Sequence, residues 1–398
     1  MAHRYCGGRG RLARVQGAPG EAGTAWGREG PNESADDLVV RWLSSAERAS
    51  VRAIWQGLEK RVATVPLACT WDWTDAWLSQ YGDLVPHRFA IGEAGDRPCG
   101  VALITNGVGR RRGPFLVRSL HLGTAGEPQG DSVFVEYNGV LVDPEHRVGF
   151  ATALVRELHS NRGWHELVLD GFAPEDAEPF LAADPMFEAN RMPSPTMDLR
   201  TAGSGDGDVL AVLKSGTRRK VRRSLEALGA VAMEWAETAD DAFDILSELI
   251  ELHQRRWTGV GEPGAFAKPR FVAFHRELVS RLLPTRRVIL FRARTASETV
   301  GCLYHFVDRG RVLFYQSGLA SYSDRRISPG FVTFALCMQE CYERGLSEYD
   351  FLAGDSRYKR DLATGSGELI WATSRRPALR WHVLDRLATA RRRLRADA

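Results

Sequence analysis

One pattern, a strand, a glycine-led helix and a second strand, occurs twice in these 398 residues and narrows the fold more than any other feature of the chain. The later occurrence is the sharper. Val312-Leu313-Phe314-Tyr315-Gln316-Ser317 is apolar and aromatic with polar groups at its end, as expected of a central strand whose tip meets a ligand. Ser328 suits a helix N-cap, Pro329 the first helical position, and Gly330 a bare turn whose unpaired N–H groups favour an anion, phosphate above all. Phe331, Phe334, Ala335, Met338, Cys341 and Tyr342 then recur at helical spacing, which gives one face to lay on a sheet, and Gly345 ends the helix. Glu348 to Leu352 reads as the next strand. Ala353 to Lys359 reads as a polar loop at its C-terminal end, so the whole unit has the layout of a ligand site in an α/β sheet.

Residues 133–172 repeat these parts in the same order. Tyr137-Asn138-Gly139 matches Gln316-Ser317-Gly318, Gly149-Phe150 matches Gly330-Phe331, Arg162-Gly163 matches Arg344-Gly345, and Asp170 matches Asp350. The chain therefore reads as a duplication of one α/β unit. The polar, glycine-rich residues 201–208 serve as the linker, so the expected domains are 38–200 and 201–376. Residues 1–37 lack apolar periodicity and read as a disordered extension, and 377–398 as a basic tail. Trp71, Trp73 and Trp77 fit either a helix packed on the core or the wall of a cleft.

Composition sets outer limits. A hydrophobic share of 44% suffices for sizeable cores, and a net charge of +3 argues neither for nor against nucleic acid. Local charge is more telling: Lys214 to Arg223 holds six cations, with Arg218 above Arg222 and Arg219 above Arg223 in like-charge pairs near a helix start. Both a polyanion-binding surface and a solvated face accommodate this cluster. The six cysteines show neither metal-ligand spacing nor a disulfide framework, no run reaches the roughly 18 apolar residues of a membrane span, and no secretory leader is visible. A cytoplasmic protein without a metal is the expectation.

Four motifs in order, KSGTRRKVRRSLEAL, LIELHQRRW, FYQSGLASYSDRRISPGF and YDFLAGDSRYKRDLAT, resemble the GNAT-type acyltransferases with a BioF2-like or CelD-like acetyltransferase domain, relatives of the FemABX peptidyltransferases. The resemblance spans residues 40–376 and is strongest over 214–372. It implies an α/β (α+β) chain of two tandem GNAT-like domains, each a mixed, mostly antiparallel sheet flanked by helices. It also implies an acyl donor carried as a CoA thioester, or in the Fem branch as an aminoacyl-tRNA, and a small-molecule or peptidyl amine acceptor.

In such domains a Gln/Arg-x-x-Gly-x-Gly/Ala pattern cradles pyrophosphate. His146, Arg147, Gly149 and Ala151 fit it in the first copy, with His in the leading position. Arg326, Ser328, Gly330 and Phe331 keep less of it, because Pro329 has no N–H to give, so the donor is expected at one of the two helix starts, Gly149 ahead of Gly330. Glu136, Asp350 and Asp355 are the candidate bases, and Tyr358 could protonate the leaving thiolate. Lys359, Gln316, Ser317, Trp257, Arg218, Arg219 and Arg222 are the candidate substrate contacts. No Gly-x-Ser-x-Gly or Cys/His signature points to a covalent intermediate. Beside CoA-dependent N-acyl transfer stand aminoacyl transfer from tRNA and a non-catalytic binding module of a polysaccharide or natural-product system.

Overall fold

The computed structural model describes residues 38–204 and 207–378, with Trp381 and Leu384. The extension 1–37 and most of the basic tail lie outside the described residues. The first half runs β1 (Leu38–Ser44), α1 (Arg48–Glu59), α2 (Trp71–Tyr81), β2 (His87–Ala94), β3 (Arg97–Asn106), a short hairpin of β4 (Arg111–Arg112) and β5 (Phe115–Leu116), and β6 (Ser119–Leu122). It continues with β7 (Leu141–Val142), α3 (Arg147–Ser160), β8 (Glu166–Phe172), α4 (Pro174–Ala183) and β9 (Phe187–Asp198). The second half opens with α5 (Val209–Val212), α6 (Ser215–Leu228), β10 (Ala232–Trp235), α7 (Ala239–Thr258) and α8 (Pro269–Leu282). Then come β11 (Val288–Arg294), β12 (Thr299–Asp308), β13 (Arg311–Leu319), α9 (Pro329–Glu343), β14 (Glu348–Asp350), α10 (Arg357–Leu362) and β15 (Gly365–Arg375).

These strands form one thirteen-stranded sheet in the order β1-β2-β3-β6-β8-β15-β9-β14-β13-β12-β11-β10, with β7 beside β3. It is antiparallel throughout except at β6 with β8 and β13 with β14, one parallel pair in each half. The order reads alike from either edge, so the two halves share a strand order, as the duplication requires. They do not form two separate sheets, because each half gives its last strand to the other. β15 pairs with β8 of the first half, β9 pairs with β14 of the second, and the two exchanged strands pair from Gly365 with Thr196 to Ser374 with Phe187.

Helices cover both faces of the sheet. α3 and α4 bury Phe150, Leu154, Leu158 and Phe180 under the first half, and α9 buries Val332, Phe334, Cys337 and Met338 under the second. On the opposite face α1, α2, α7 and α8 share one continuous core across both halves. There the Trp73 ring lies edge-on to Phe274 and Phe306, at 5.5 and 5.2 Å between centroids. Trp71, Trp73 and Trp77 are all buried, so packing is their main use. Among the described residues no helix is long and apolar enough to cross a membrane, and no group of metal-ligating side chains gathers.

Register corrects the residue-by-residue matching of the repeats. Gly100 faces Val142 and Gly301 faces Leu319, so these two glycines are equivalent; counting on from each, Asn106 is level with Val307, and their partners Leu120 and Val312 are level too. Leu120 and Val312 in turn face Leu167 and Tyr349. Asp350 thus corresponds to Val168, and Asp170 to Leu352. In the first half the chain leaves the sheet after Leu122 and returns at Leu141, where β13 runs on unbroken. Tyr137-Asn138-Gly139 belongs to that insertion and has no counterpart in Gln316-Ser317-Gly318. The helix glycines are offset as well: a Cβ on Gly100 would meet Phe150 and one on Gly301 would meet Thr333, which sets Gly149 level with Val332 rather than Gly330.

Candidate functional site

The parallel pair of the second half comes apart just beyond its start. β13 and β14 pair only from Arg311 with Glu348 to Leu313 with Asp350, after which β13 continues to Leu319 while the other chain turns toward β9. Phe351 and Gly354 donate their N–H groups to Pro195 O and Pro193 O, both at 2.9 Å. Across β12, Tyr304 faces Gln316 and His305 faces Phe314, so Tyr315 is a bulge without a ladder partner. Gln316 shares the α7 and α8 side with Tyr304, Ser317 shares the α9 side with Leu303, and both are half-exposed.

The first half sends a segment into this parting. Glu136 accepts a hydrogen bond from Ala353 N at 2.7 Å, Tyr137 Oη donates to Asp350, and Tyr315 Oη donates to Val133 O at 2.7 Å. Phe134, Tyr137 and Leu352 adopt left-handed φ values of 46°, 56° and 60°, conformations that cost non-glycine residues about 1–2 kcal/mol each. All three line one cavity of about 20 Å³, together with Glu136, Tyr315 and Trp73. Strain concentrated around one cavity marks a place built for more than packing.

Burial pushes the Glu136 carboxyl up to about 7, against the opposing pull of the Ala353 N–H and the Lys359 ammonium. Lys359 is pushed down by burial, and its Nζ donates to Leu352 O at 3.0 Å and Ala353 O at 2.7 Å. It fastens the loop after β14. Asp350 is fully buried and accepts from Tyr137 Oη, Ser194 Oγ at 2.7 Å and Leu352 N at 2.7 Å, so it clasps the two halves together. Asp355 stands exposed on the surface, paired with Arg360. Tyr358 stacks on Phe334 at 5.7 Å, and burial raises its phenol to about 12.

At the far end of β13 a cavity of about 310 Å³ opens, bounded by Leu319 to Ser321, by Ser328 to Gly330 at the start of α9, and by Arg256 from α7. Pro329 has no N–H, and the N–H of Val332 bonds Ser328 O, so Gly330 and Phe331 hold the free amides of this helix start. Ser328 takes the N-cap position with its hydroxyl unused for capping. The basic helix α6 packs alongside, with Ser224 Oγ donating to Arg326 O at 2.8 Å and accepting from Ser328 N at 3.1 Å. Lys220 Nζ lies 3.8 Å from the Phe331 ring centre. Arg326 is held by Asp324 at 2.8 Å, and Arg218 donates to Ala211 O at 3.0 Å. Arg219 and Arg222 face outward, and Trp257, half-buried at the end of α7, leans on His253 with 6.0 Å between centroids.

The first helix start is a different place. Arg147 is taken up by Asp176 at 3.6 Å and Glu175 O at 3.4 Å, His146 sits 3.9 Å from Glu145, and Asp143 lies just ahead of the helix. Ala151 is buried in the core, and a Cβ added to Gly149 would lie 3.7 Å from Leu38 Cδ1. Where β6 and β8 part, the buried Asn138 fills the gap, its N bonding Gly171 O at 3.2 Å and its Nδ2 bonding Leu122 O at 3.0 Å. Level with Leu313 and Leu352 stand His121 and Asp170, hydrogen-bonded at 2.6 Å, with Ser119 Oγ 2.9 Å from the other imidazole nitrogen. Ser119 is only 1% exposed, so this Ser-His-Asp row offers no nucleophile to solvent.

Glu127 adds a consequence for stability. Burial pushes its carboxyl up to about 8 although Trp77 Nε1 donates to it. Glu127 and Glu136 thus stay protonated in the folded chain at pH values where the unfolded chain has ionised them. Their contribution is fully present below the ordinary glutamate pKa and is lost as pH rises through about 7 to 8. The melting temperature should fall between pH 5 and 8.5. Glu127→Gln should raise it by a few degrees at pH 8.5 while leaving the pH 5 value unchanged; an unaltered slope in thermal scans would rule out this carboxyl as the cause.

The family model described as "Acetyltransferase (GNAT) domain" matches residues 214–360. The match lies wholly in the second half and covers little more than a third of the chain. No curated protein matches the sequence. Among solved structures, the crystal structure of FemX is similar at 11% identity and a TM-score of 0.53, over 81% of this chain and 95% of that one. L-PGS from Bacillus licheniformis is similar at 13% identity and a TM-score of 0.51, over 83% and 95%. These likenesses are of fold, and they extend across both halves. The GNAT match contains Arg256, Tyr315, Gly330 and Tyr358 but not Glu136, which reaches the site from the other half.

Proposed function

We propose that this protein transfers an acyl group from a CoA thioester to an amine, with the donor phosphates at the start of α9 and the reacting carbonyl in the parting of β13 and β14. The contrast between the two helix starts carries the reading. The second has two free amides, a free hydroxyl, Arg256 and a roomy cavity, whereas acids surround the first and Asn138 plugs its gap. The sequence pattern favoured Gly149; the side-chain environment favours Gly330.

In the reaction the amine lone pair attacks the thioester carbonyl carbon, and the C–S bond breaks as the amide forms. Glu136, with a pKa of about 7, takes the amine proton. The bulge at Tyr315 breaks the β12–β13 register beside the place proposed for the carbonyl. With its phenol near 12, Tyr358 suits a hydrogen bond to the leaving sulfur better than full proton transfer, since a thiol is the stronger acid. The five described cysteines are free and buried, which supports a reducing cytoplasm as the setting.

A second reading rests on α6. Arg219, Arg222 and Arg223 form an exposed row beside the start of α9 and make no ion pair among the described residues, an arrangement that would also suit the aminoacyl-tRNA donor implied by the Fem resemblance. Titration with CoA and with total tRNA at two salt concentrations separates the two. The CoA reading expects saturable CoA binding with a shallow salt dependence and weak tRNA binding. Tight tRNA binding, with a log–log salt slope near −0.9 per duplex phosphate and lost on replacing the α6 arginines by alanine, would overturn it. Binding of either ligand without any turnover would favour a non-catalytic module.

A further inference from the structure

The small cavity beneath Glu136 constrains what the acceptor is. Leu67, Trp73, Phe306, Leu313 and Leu352 line it, and apart from the Glu136 carboxyl the polar side-chain atoms that reach it are already committed. Tyr137 Oη is spent on Asp350 and Tyr315 Oη on Val133 O. The cations nearby are engaged as well: Lys359 on two carbonyls, and Arg311 on Asp308 at 3.3 Å with its guanidinium 4.5 Å from the Tyr137 ring centre. A carboxylate brought here would lose its water and find no counter-charge, and the several hydroxyls of a sugar would have only the Glu136 carboxyl to bond. Glu136 alone can receive a proton.

A cavity of about 20 Å³ has room for little more than one water, so a substrate must displace something. Phe134 is the candidate. Its ring lines the cavity yet is 44% exposed, and its backbone is held at a φ of 46°, so it is both poorly buried and strained. Resting on the acyl-transfer reading above, we infer that the acceptor is a primary amine carried on an uncharged apolar or aromatic body, which enters where the Phe134 ring now closes the cavity.

The test uses the full chain and three amines, 2-phenylethylamine, phenylalanine and glucosamine, in two separate measurements. Tryptophan fluorescence, with and without CoA, reads amine binding through Trp73, and thiol release from acetyl-CoA reads turnover. Binding of 2-phenylethylamine at least about a hundredfold tighter than either of the others is expected. Phe134→Ala, at an exposed position, should tighten binding of the bulkier tryptamine several-fold relative to 2-phenylethylamine. Equal or tighter binding of phenylalanine or glucosamine, or no binding of 2-phenylethylamine, overturns the inference. The expected binding order with no thiol release from acetyl-CoA sustains it while sinking the choice of donor; thiol release driven best by glucosamine or phenylalanine does the reverse.

Discussion

Gly330→Glu is expected to abolish CoA binding, and Gly149→Glu to leave it intact. At position 330 a new Cβ would lie 3.2 Å from Leu319 Cδ1, the flexible tip of a side chain, so the fold has only to shift that tip. The carboxylate then projects into the cavity bounded by Arg256 and Ser328, where it repels phosphate and competes for the cation. A loss of at least about a hundredfold in affinity is expected, which corresponds to roughly 2.7 kcal/mol. Isothermal titration with CoA measures it, and circular dichroism melting checks the fold. Position 149 has no atom nearer than 3.7 Å to a new Cβ, so that variant should also fold. Loss of CoA at 149 with retention at 330 would return the donor to the first half.

Glu136→Gln is expected to lower kcat by about 10²- to 10⁴-fold with little change in KM. Glutamine still accepts from Ala353 N, so the loop after β14 stays in place, but it takes no proton. The pH profile is the sharper readout. Because burial holds Glu136 near 7, its base form accumulates above that pH, and kcat/KM of the wild type should rise through about 7 to a plateau. That limb should vanish in the variant. Asp355→Asn, at an exposed ion pair with Arg360, should leave both the rate and the profile unchanged. If instead the 355 variant loses the limb, the base is on the polar loop and not in the insertion from the first half.

Much of this was legible in the chain. The start of α9 was visible because Ser328, Pro329 and Gly330 each answer a local rule, although the Ser328 hydroxyl does not cap the helix, and the structure places all three on the rim of the large cavity. The repeat was visible in the order of its parts. Its alignment was misleading because Asp170 and Asp350 share a residue type but not a register position, and because Tyr137 to Gly139 belong to the insertion after Leu122. Strand exchange left no local trace, since β9 and β15 would carry the same alternation beside either neighbour. Asn138 closing the first gap, and Glu136 crossing to Ala353, depend on contacts between residues far apart in sequence, which no window of residues reveals. Arg256 lies beside Trp257 in LIELHQRRW, but an arginine near a helix end reads as solvated until its neighbours are known.

The exchange of β9 and β15 also fixes the order in which the chain can become itself. A ribosome delivers the first half before the second, yet β8 must wait for a partner from the second half, and β9 must wait for a sheet not yet made. Until Gly365 to Arg375 is free of the exit tunnel, the nascent first half carries an open strand edge, the kind of surface that invites wrong pairings. Long-range closure of this sort is slow. The cleft, clasped by Tyr137 from one half and Asp350 from the other, therefore comes into being only after β15 has been made, and a product truncated before that strand has no route to it.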